Sequence, residues 1–285
     1  MKTVFVAGAT GYLGRHLCRA YRERGWRVHA LVRSKSRPDL PLADLHIQAE
    51  ATRPETLTGV MAGADLVISA LGITRQRDGL TYHDVDYQAN LNLLQEALHA
   101  GVPHFAYVHV LNADRMPEVP LVAAKSAFVR ALQGAAIRST VIAPSGYFSD
   151  MGDFFAMSEA GRVWLFGDGK LRINPIHGAD LALASAEAID AGRDWIDIGG
   201  PDVLSHTELA QTAFAALRQP ARITRLPDWL RRAALTVVPY VMPSHISGPT
   251  QFFLTAMGQD MVGEQHGTRH LSDHFAALAA GEQPS

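Results

Sequence analysis

Three glycines near the start of the chain have a spacing with a clear chemical meaning. Gly8, Gly11 and Gly14 follow an apolar run over residues 3–7 and lead into a segment with helical periodicity. Gly8 permits a tight turn, Gly11 lets backbone N–H groups approach a ligand, and Gly14 lets the helix pack closely on the strand. Because helix N-termini attract anions, the pattern predicts a site for the diphosphate of a dinucleotide, with an ordinary strand-to-helix turn as the alternative. The other residues predicted to line the turn are Thr10, Tyr12 and Leu13.

The residue that ends the second predicted strand indicates which dinucleotide fits. In folds of this type it lies about 20 positions after the glycines and meets the adenosine ribose. Here that residue is Arg33, and no acidic residue occurs from Arg33 through Pro38. A carboxylate would repel a 2′-phosphate, whereas a guanidinium can bind it through two hydrogen bonds. The basic loop is therefore predicted to bind the 2′-phosphate of NADP(H), with an ordinary solvated surface loop as the alternative. The predicted phosphate-binding residues are Arg33, Ser34, Lys35 and Arg37.

Two further strand ends are predicted to border the dinucleotide, because ligands of parallel sheets lie beyond the carboxyl ends of the strands. Glu50 could accept a hydrogen bond from the adenine amino group, although a free surface carboxylate explains it nearly as well. Gly72 could permit close approach to the ribose or the diphosphate, with an ordinary turn as the alternative. With their neighbours, the residues at these two ends are Glu50, Ala51, Ala70, Leu71 and Gly72.

Short apolar runs that alternate with helical segments must position these strand ends. The predicted strands of the first half are 3–7, 28–32, 45–49, 66–71, 105–111 and 139–142. Repeated βα units predict an α/β fold with a Rossmann-type, doubly wound parallel sheet. We expect residues 1–145 to form the dinucleotide-binding domain, with later strands returning to its sheet. The smaller substrate-binding region, 146–285, is predicted to contain a helix near 151–159, a strand at 163–166, a helix from residue 180 and a strand at 195–198.

The composition is that of an ordinary water-soluble enzyme. Of 285 residues, 47% are hydrophobic and 19% are charged, and the formal net charge of -2 attracts no polyanion, so nucleic acid is not an expected partner. Cys18, the only cysteine, is predicted to be a buried thiol.

The first predicted strand begins too early for a signal peptide, and no apolar run reaches the roughly 18 residues of a spanning helix. We therefore expect a cytoplasmic location without an integral membrane segment. The apolar stretch 229–261 is interrupted by Pro239, Pro243 and Pro249. Short helices are expected there, serving as a lid, a subunit contact in a homodimer or a peripheral membrane contact.

With these features located, the chain resembles the atypical short-chain dehydrogenase/reductases, also called NmrA-like or extended-type NAD(P)-binding proteins. The more specific segments look like the branch that holds divinyl chlorophyllide reductase-like proteins and relatives of the nucleotide-binding accessory subunit of respiratory complex I. The resemblance implies NADP(H) binding but not one particular reaction. The segments are 142–148 (Ile-Ala-Pro-Ser-Gly-Tyr-Phe), 174–182 (Asn-Pro-Ile-His-Gly-Ala-Asp-Leu-Ala), 198–201 (Ile-Gly-Gly-Pro) and 204–209 (Leu-Ser-His-Thr-Glu-Leu).

The chain departs from the standard catalytic residues of that superfamily. Standard members use Ser or Thr at the end of the fifth strand and a Tyr-x-x-x-Lys motif on the next helix. Lys125 matches the lysine, but Leu121 stands at the tyrosine position and the serine region has His109 and Val110. Because leucine has no proton to give, ordinary alcohol dehydrogenation is not expected.

The resemblance suggests three candidates for the remaining chemistry. Lys125 is expected to reach the nicotinamide ribose and to assist hydride transfer by its charge; its alternative role is proton donor or enolate stabiliser, as in the resembling isoflavone and pinoresinol-type reductases. Relatives place Pro144, Tyr147 and Phe148 at the wall above the nicotinamide, where Tyr147 is either a replacement acid or part of an aromatic wall. His109 is a rival acid because histidine titrates near physiological pH, with a structural histidine as the alternative.

Other polar clusters have simpler explanations. Ser205 and Glu208 have the spacing of a capping box, which accounts for both residues without catalysis. His266 and His270 are four residues apart, but no acid or third histidine completes a ligand set, so no metal is predicted.

The function predicted from these residues is an NADPH-dependent reductase. Its substrate is expected to be a small or medium-sized apolar molecule, reduced at a carbonyl group or a conjugated double bond. The competing hypothesis is a non-catalytic NADPH-binding redox sensor or assembly factor, which the missing Tyr and Ser would permit. A nucleotide-assisted isomerase is a third option.

Overall fold

A computed structural model of the chain describes residues 1–33, 43–73 and 79–282. The chain divides into two compact units. Unit 1 consists of Met1–Ala143 and Ala182–Ile196, and unit 2 consists of Pro144–Leu181 and Asp197–Ser285.

Strands and helices alternate through the residues of unit 1. A π-helical segment, His83–Ala89, leads directly into its second helix. The elements are β1 (Thr3–Ala7), α1 (Tyr12–Glu23), β2 (Arg27–Val32), β3 (Leu45–Gln48), β4 (Leu66–Ser69), α2 (Asn90–His99), β5 (His104–Val108), α3 (Pro120–Gln133) and β6 (Arg138–Pro144).

The later elements belong mainly to unit 2. Two of them, α5 and β9, begin in one unit and end in the other. The elements are α4 (Gly152–Glu159), β7 (Val163–Phe166), β8 (Arg172–Ile173), α5 (Gly178–Asp190), β9 (Trp195–Gly199), β10 (Leu204–Ser205), α6 (His206–Ala216), β11 (Ile223–Leu226), α7 (Asp228–Val241), α8 (Ser244–Ala256), β12 (Glu264–Gln265) and α9 (Leu271–Ala279).

The strands of unit 1 form a parallel sheet in the order β3-β2-β1-β4-β5-β6. β1, β4 and β5 are buried along their whole length, as strands covered on both faces should be. The chain order reverses at β1 and β4, and ligands of such sheets bind at the carboxyl ends of strands at this switch point. The predicted α/β fold with a Rossmann-type, doubly wound sheet is confirmed.

Helix α1 covers the sheet of unit 1 with one apolar face. Leu13, Leu17, Cys18 and Tyr21 are all buried on that face. Burial raises the pKa of the Cys18 thiol to about 12, so the thiolate is not accessible at neutral pH. The prediction of a buried, unreactive cysteine is confirmed.

Two strands end two or three residues earlier than the apolar pattern predicts. β4 ends at Ser69 because side chains then replace the strand ladder: Ser69 Oγ accepts the Leu71 N–H, and Asn90 Nδ2 donates to the Leu71 carbonyl. β5 ends at Val108, and four residues later Asn112 has a left-handed backbone conformation with φ 54°. Apolar residues continue past both strand ends, and for this reason the predicted strands are too long.

The small strands of unit 2 pair with strands that are distant in the sequence. β7 pairs in parallel with β11, β8 pairs antiparallel with β10, and β12 pairs in parallel with the end of β9. The predicted strand 163–166 is confirmed, and the helix expected from residue 180 begins slightly earlier, at Gly178. The capping box is also confirmed, since Ser205 Oγ accepts the Glu208 N–H and Glu208 accepts the Ser205 N–H.

The proline-interrupted stretch forms two helices of ordinary length, α7 with 14 residues and α8 with 13, and not the short helices expected. Pro239 and Pro249 lie inside these helices, and of the three prolines only Pro243 separates them. None of the helices in the described ranges has both the length and the apolar character needed to span a bilayer. Across residues 1–33, 43–73 and 79–282, no group of three or more His, Cys, Asp or Glu side chains is arranged to hold a metal ion.

Candidate functional site

The glycine turn after β1 is held by close backbone contacts at the N-terminus of α1. Gly8 has φ +79°, and a Cβ there would lie 2.7 Å from the Ala70 carbonyl oxygen. A Cβ on Gly14 would overlap the Gly8 carbonyl oxygen and lie 2.7 Å from Ala9 Cα. The Gly11 N–H donates to the Gly8 carbonyl at 2.9 Å, which closes the turn. Only glycine fits at Gly8 and Gly14, as the sequence pattern predicts.

The first turn of α1 is electrostatically suited to an anion. Among the described residues no side chain caps its N-terminus, and no acidic residue lies in its first turn. The positive end of the helix dipole can thus attract a diphosphate. Arg15 Nε donates to the Thr10 carbonyl at 3.2 Å, while Leu13 is buried and Tyr12 is half-buried with its ring edge-on to His16. The residues present fit a dinucleotide diphosphate.

The predicted adenosine side of the site is described only in part. Arg33 is exposed directly after β2. Glu50 forms an ion pair with Arg53 at 3.6 Å, and the carbonyl of buried Ala51 accepts a hydrogen bond from Asn92 Nδ2 at 2.9 Å. The predicted phosphate ligands Ser34, Lys35 and Arg37 lie outside the described residues.

Lys125 lies in a compact polar cluster beside the end of β4. Its Nζ donates to the Val108 carbonyl at 3.2 Å and to the Tyr107 hydroxyl at 3.4 Å, and it lies 3.3 Å from Asp86 Oδ1. The ammonium group also lies 5.1 Å from the centre of the Tyr107 ring. The lysine side chain is 12% exposed, so these contacts fix its position while one side stays open to solvent.

Asp86 is the buried counter-ion of this cluster. Its side chain is fully buried in the π-helical segment, and its Oδ2 accepts the Ile73 N–H at 3.3 Å. Oδ1 accepts no hydrogen bond from the described residues and faces Lys125 as an ion-pair partner. Burial raises the pKa of Asp86, whereas the charge of Lys125 and the hydrogen bond from Ile73 lower it. The carboxyl group of Asp86 therefore contacts Lys125 and is shielded from solvent.

Gly72 joins the two parts of the site in unit 1. A Cβ at Gly72 would lie 2.6 Å from Asp86 Oδ1 and 3.1 Å from Lys125 Nζ. The preceding residues, Ala70 and Leu71, are the ones that a Cβ on Gly8 would meet. The glycine turn, the end of β4 and the lysine cluster are therefore contiguous.

The expectation that His109 titrates near physiological pH is wrong. Burial lowers its pKa to about 3, and the charge of Lys125 adds to this effect. The ring lies edge-on to Trp195 at 5.8 Å, and Nδ1 is buried without a hydrogen-bond partner among the described residues. His109 is neutral at physiological pH, so it cannot serve there as an imidazolium acid.

The aromatic candidates of unit 2 differ in exposure. Pro144 is buried at the end of β6, and Tyr147 is half-buried. The Phe148 ring is 1% exposed and contacts the rings of His177 and His274 at 5.7 and 5.5 Å. The side chain of Phe148 is thus part of the interior of unit 2 and does not form an open wall.

The sequence analysis did not identify three residues whose side chains can take part in the chemistry of the site. Asp86 and Tyr107 surround Lys125, as described above. Asp150 Oδ2 accepts the Tyr147 N–H at 3.1 Å; its side chain reaches solvent, but the surrounding protein and Asp153 raise its pKa to about 6. One signal was available for Asp86, namely an acid next to apolar Val85 in the segment that follows β4.

Comparisons with known proteins agree with this architecture. A profile of the NmrA-like family matches residues 1–165. Divinyl chlorophyllide a 8-vinyl-reductase from Zea mays is 30% identical over 259 residues, covering 83% of this chain and 64% of the maize protein. The chain thus spans less than two thirds of that relative. Photosystem II assembly factor Ycf39 from Synechocystis sp. is 27% identical over 230 residues, covering 79% of this chain and 70% of that protein.

A solved structure shares the fold at low identity. The NADPH complex of the NADPH-dependent quinone oxidoreductase QOR2 from Escherichia coli aligns with a TM-score of 0.74 and 19% identity, covering 96% of this chain and 99% of that chain. At this level of identity the likeness establishes the fold alone.

Proposed function

The chain belongs to the NmrA-like family of atypical short-chain dehydrogenase/reductase-like, NAD(P)-binding proteins, and we propose that it is an NADPH-dependent reductase. Its proposed substrate is a small or medium-sized apolar molecule that is reduced at a carbonyl group or a conjugated double bond. The observation that carries the proposal is the contiguity of the glycine turn, Gly72 and Lys125 at the carboxyl ends of β1 and β4.

Backbone N–H groups in the first turn of α1 would hold the diphosphate, while the Gly11 N–H keeps the glycine turn closed. Arg33, with the following Ser34, Lys35 and Arg37, is proposed to bind a 2′-phosphate, which favours NADP(H) over NAD(H). Gly72 supports this arrangement because its lack of a Cβ lets Asp86 and Lys125 lie close to the end of β4.

Lys125 is the proposed catalytic residue. The bound nicotinamide would supply the hydride. The Lys125 ammonium group, partly open to solvent and held by long contacts of 3.2 to 3.4 Å, can exchange one of them for a ribose hydroxyl. Its charge would also stabilise negative charge that develops on the substrate. Asp86 keeps this cation in place from the buried side.

Two of the four candidate positions for the proton donor are set aside, and two are kept. Leu121 carries no proton, and His109 is uncharged at neutral pH. The proposed donors are therefore Tyr147 and, as its rival, Lys125 itself. A homodimer and a cytoplasmic location stay predictions.

A second candidate function is a non-catalytic NADPH-binding protein that acts as a redox sensor or assembly factor. Leu121 supports it, because a buried leucine replaces the usual tyrosine. A relative whose name describes a photosystem II assembly factor also supports it.

Two measurements on the full chain test the proposal. Calorimetry with NADPH and NADH should detect binding of both, with NADPH the tighter ligand. NADPH oxidation is then followed with enones, quinones and aldehydes as substrate classes, and turnover with at least one is expected. Binding without consumption across all classes would favour the sensor or assembly factor, and the absence of binding heat would refute both functions.

A further inference from the structure

The turn between α7 and α8 exposes an unusual group of apolar side chains. We use the name apolar tip for five residues whose side chains are 40% to 88% exposed: Val237, Tyr240, Val241, Met242 and Ile246. Tyr240 is 88% and Val241 is 65% exposed. Large exposed apolar patches usually mark an interaction surface.

The opposite end of the same helical hairpin is polar and rigid. Buried Arg231 donates from Nε to Asp228 Oδ1 at 2.7 Å and from Nη1 to the Leu254 carbonyl at 3.0 Å, which ties the start of α7 to the end of α8. Arg232 donates to the same aspartate at 2.8 Å. The hairpin is thus held at its base and does not depend on contacts at the apolar tip.

Charge is segregated along the length of this hairpin. The base carries Asp228, Arg231, Arg232 and Asp260, whereas residues 233–259 contain no Asp, Glu, Lys or Arg. Tyr240 lies 12 residues beyond Asp228, about 18 Å along an α-helix. This distance exceeds the roughly 5–8 Å thickness of the headgroup region on one side of a bilayer, so the tip can enter that region while the charged base stays in water.

The aromatic residue of the apolar tip fits the same profile. Tyr240 is the most exposed side chain of the tip. Tryptophan and tyrosine are enriched where proteins meet the membrane interface, because their rings combine an apolar body with a polar atom. The apolar face of a helix bound at a membrane surface lies roughly 5–10 Å deep in the interface.

A protein partner fits these features less well. A stable dimer covers about 800 Å² on each partner and usually has a polar rim around its apolar core. The apolar tip has only five large side chains, far fewer than the roughly 20–30 residues that each partner contributes to an interface of standard size.

We propose that the apolar tip inserts into the interface of a lipid bilayer while the charged base of the hairpin stays in water. Because the apolar tip contains no Lys or Arg, the contact needs no anionic headgroup. The surface is thus a reversible membrane-docking site, separate from the nucleotide site of unit 1.

Flotation of the full chain with phosphatidylcholine vesicles tests this proposal. The protein should float with the vesicles, and neither added salt nor added anionic lipid should change the bound fraction by more than about twofold. The variants Y240D and V241D should reduce the bound fraction at least tenfold. The matched control L98D places the same charge on a 40% exposed leucine of α2 and should float like the unmodified chain.

Circular dichroism and thermal melting ensure that the variants are folded, which is expected because the substituted side chains are exposed. Folded variants that float normally, or a chain that never floats, would overturn the proposal. Sedimentation measures the competing occupant: a concentration-dependent dimer that Y240D abolishes, without flotation, would assign the apolar tip to a second copy of the chain.

Discussion

The glycine turn and the lysine cluster are neighbours in unit 1, but the turn is formed by backbone atoms and the cluster by side chains. At the turn, backbone atoms make every important contact, and a single added Cβ on Gly14 would overlap a carbonyl oxygen. Around Lys125, side chains from three distant parts of the chain provide an ammonium group, a carboxyl group and a phenol. Steric fit therefore limits which residues the turn can accept, whereas charge balance limits which residues the cluster can accept.

This difference predicts how each region responds to substitution. The glycine turn has no room for an added atom, so even one extra methyl group there should abolish NADPH binding. A buried charge cluster tolerates changes that keep its shape, provided that no charge is left uncompensated. Variants can therefore separate nucleotide binding from turnover.

The largest effect is expected for G14A, which tests the steric restriction directly. The new Cβ would press on the backbone of Gly8 and Ala9, so the turn must open. NADPH affinity should fall at least 100-fold in calorimetry, with destabilisation of about 1–3 kcal/mol. G134A is the control, since a Cβ there meets nothing nearer than 3.5 Å. Unchanged affinity in G14A would remove the diphosphate from this turn.

Replacing the lysine by methionine tests the charge restriction. K125M should lower kcat by roughly 100-fold or more, while NADPH affinity falls much less. It should also cost about 3 kcal/mol of stability, because Asp86 is left buried without its partner. K170M, on an exposed lysine of unit 2, is the control.

The double variant K125M/D86N separates stability from chemistry. Neutralising both members of the pair should restore most of the stability measured in urea, but turnover should stay as low as in K125M. Recovery of turnover with stability would mean that Lys125 has only a structural role.

The glycine turn is predictable because its restrictions are local. The apolar run, the three glycines and the amphipathic stripe with Cys18 are all adjacent in sequence, and their structures follow from backbone geometry. The Ser205–Glu208 capping box is equally local. By contrast, β4 ends at Ser69 because of hydrogen bonds to Asn90, which lies 21 residues further along the chain.

The lysine cluster shows why the remainder could not be derived from the sequence. Asp86 meets Lys125 only after the π-helical segment and α3 pack together, across 39 residues of chain. The low pKa of His109 likewise depends on burial that no short sequence window reveals. Long-range burial and pairing, rather than local geometry, set the chemistry of these groups.

Reversing the charge of Arg33 extends the comparison to the adenosine side. R33E should weaken NADPH binding by about 10- to 50-fold, the order of one or two charge-assisted hydrogen bonds. NADH affinity should change less than threefold, since NADH lacks the 2′-phosphate. R19E reverses an exposed arginine on α1 as the control. Equal losses for both dinucleotides would contradict a 2′-phosphate site at Arg33.

A milder test of the cluster removes only the charge of Asp86. D86N keeps the shape of the side chain but no longer attracts the ammonium group. We expect kcat to fall about tenfold with NADPH affinity within threefold, because the lysine is less well positioned. D114N, on an exposed acid of unit 1, should behave like the unmodified chain. A parallel loss of affinity and kcat would point to general damage to unit 1 instead.

The smallest effect concerns the neutral histidine beside the cluster. The pKa of His109 is about 3 in the folded chain and ordinarily 6.5, so the stability that its neutral form provides is complete above pH 6.5 and declines as the pH falls toward 3. At about pH 5.5 the loss is on the order of 1 kcal/mol. H109F should flatten this part of the urea stability profile, whereas H46F, on the exposed strand β3, should not. An unchanged acid slope in H109F would mean that this ring can take up a proton without cost, and the low-dielectric environment on which the charge restriction at Lys125 depends would not exist.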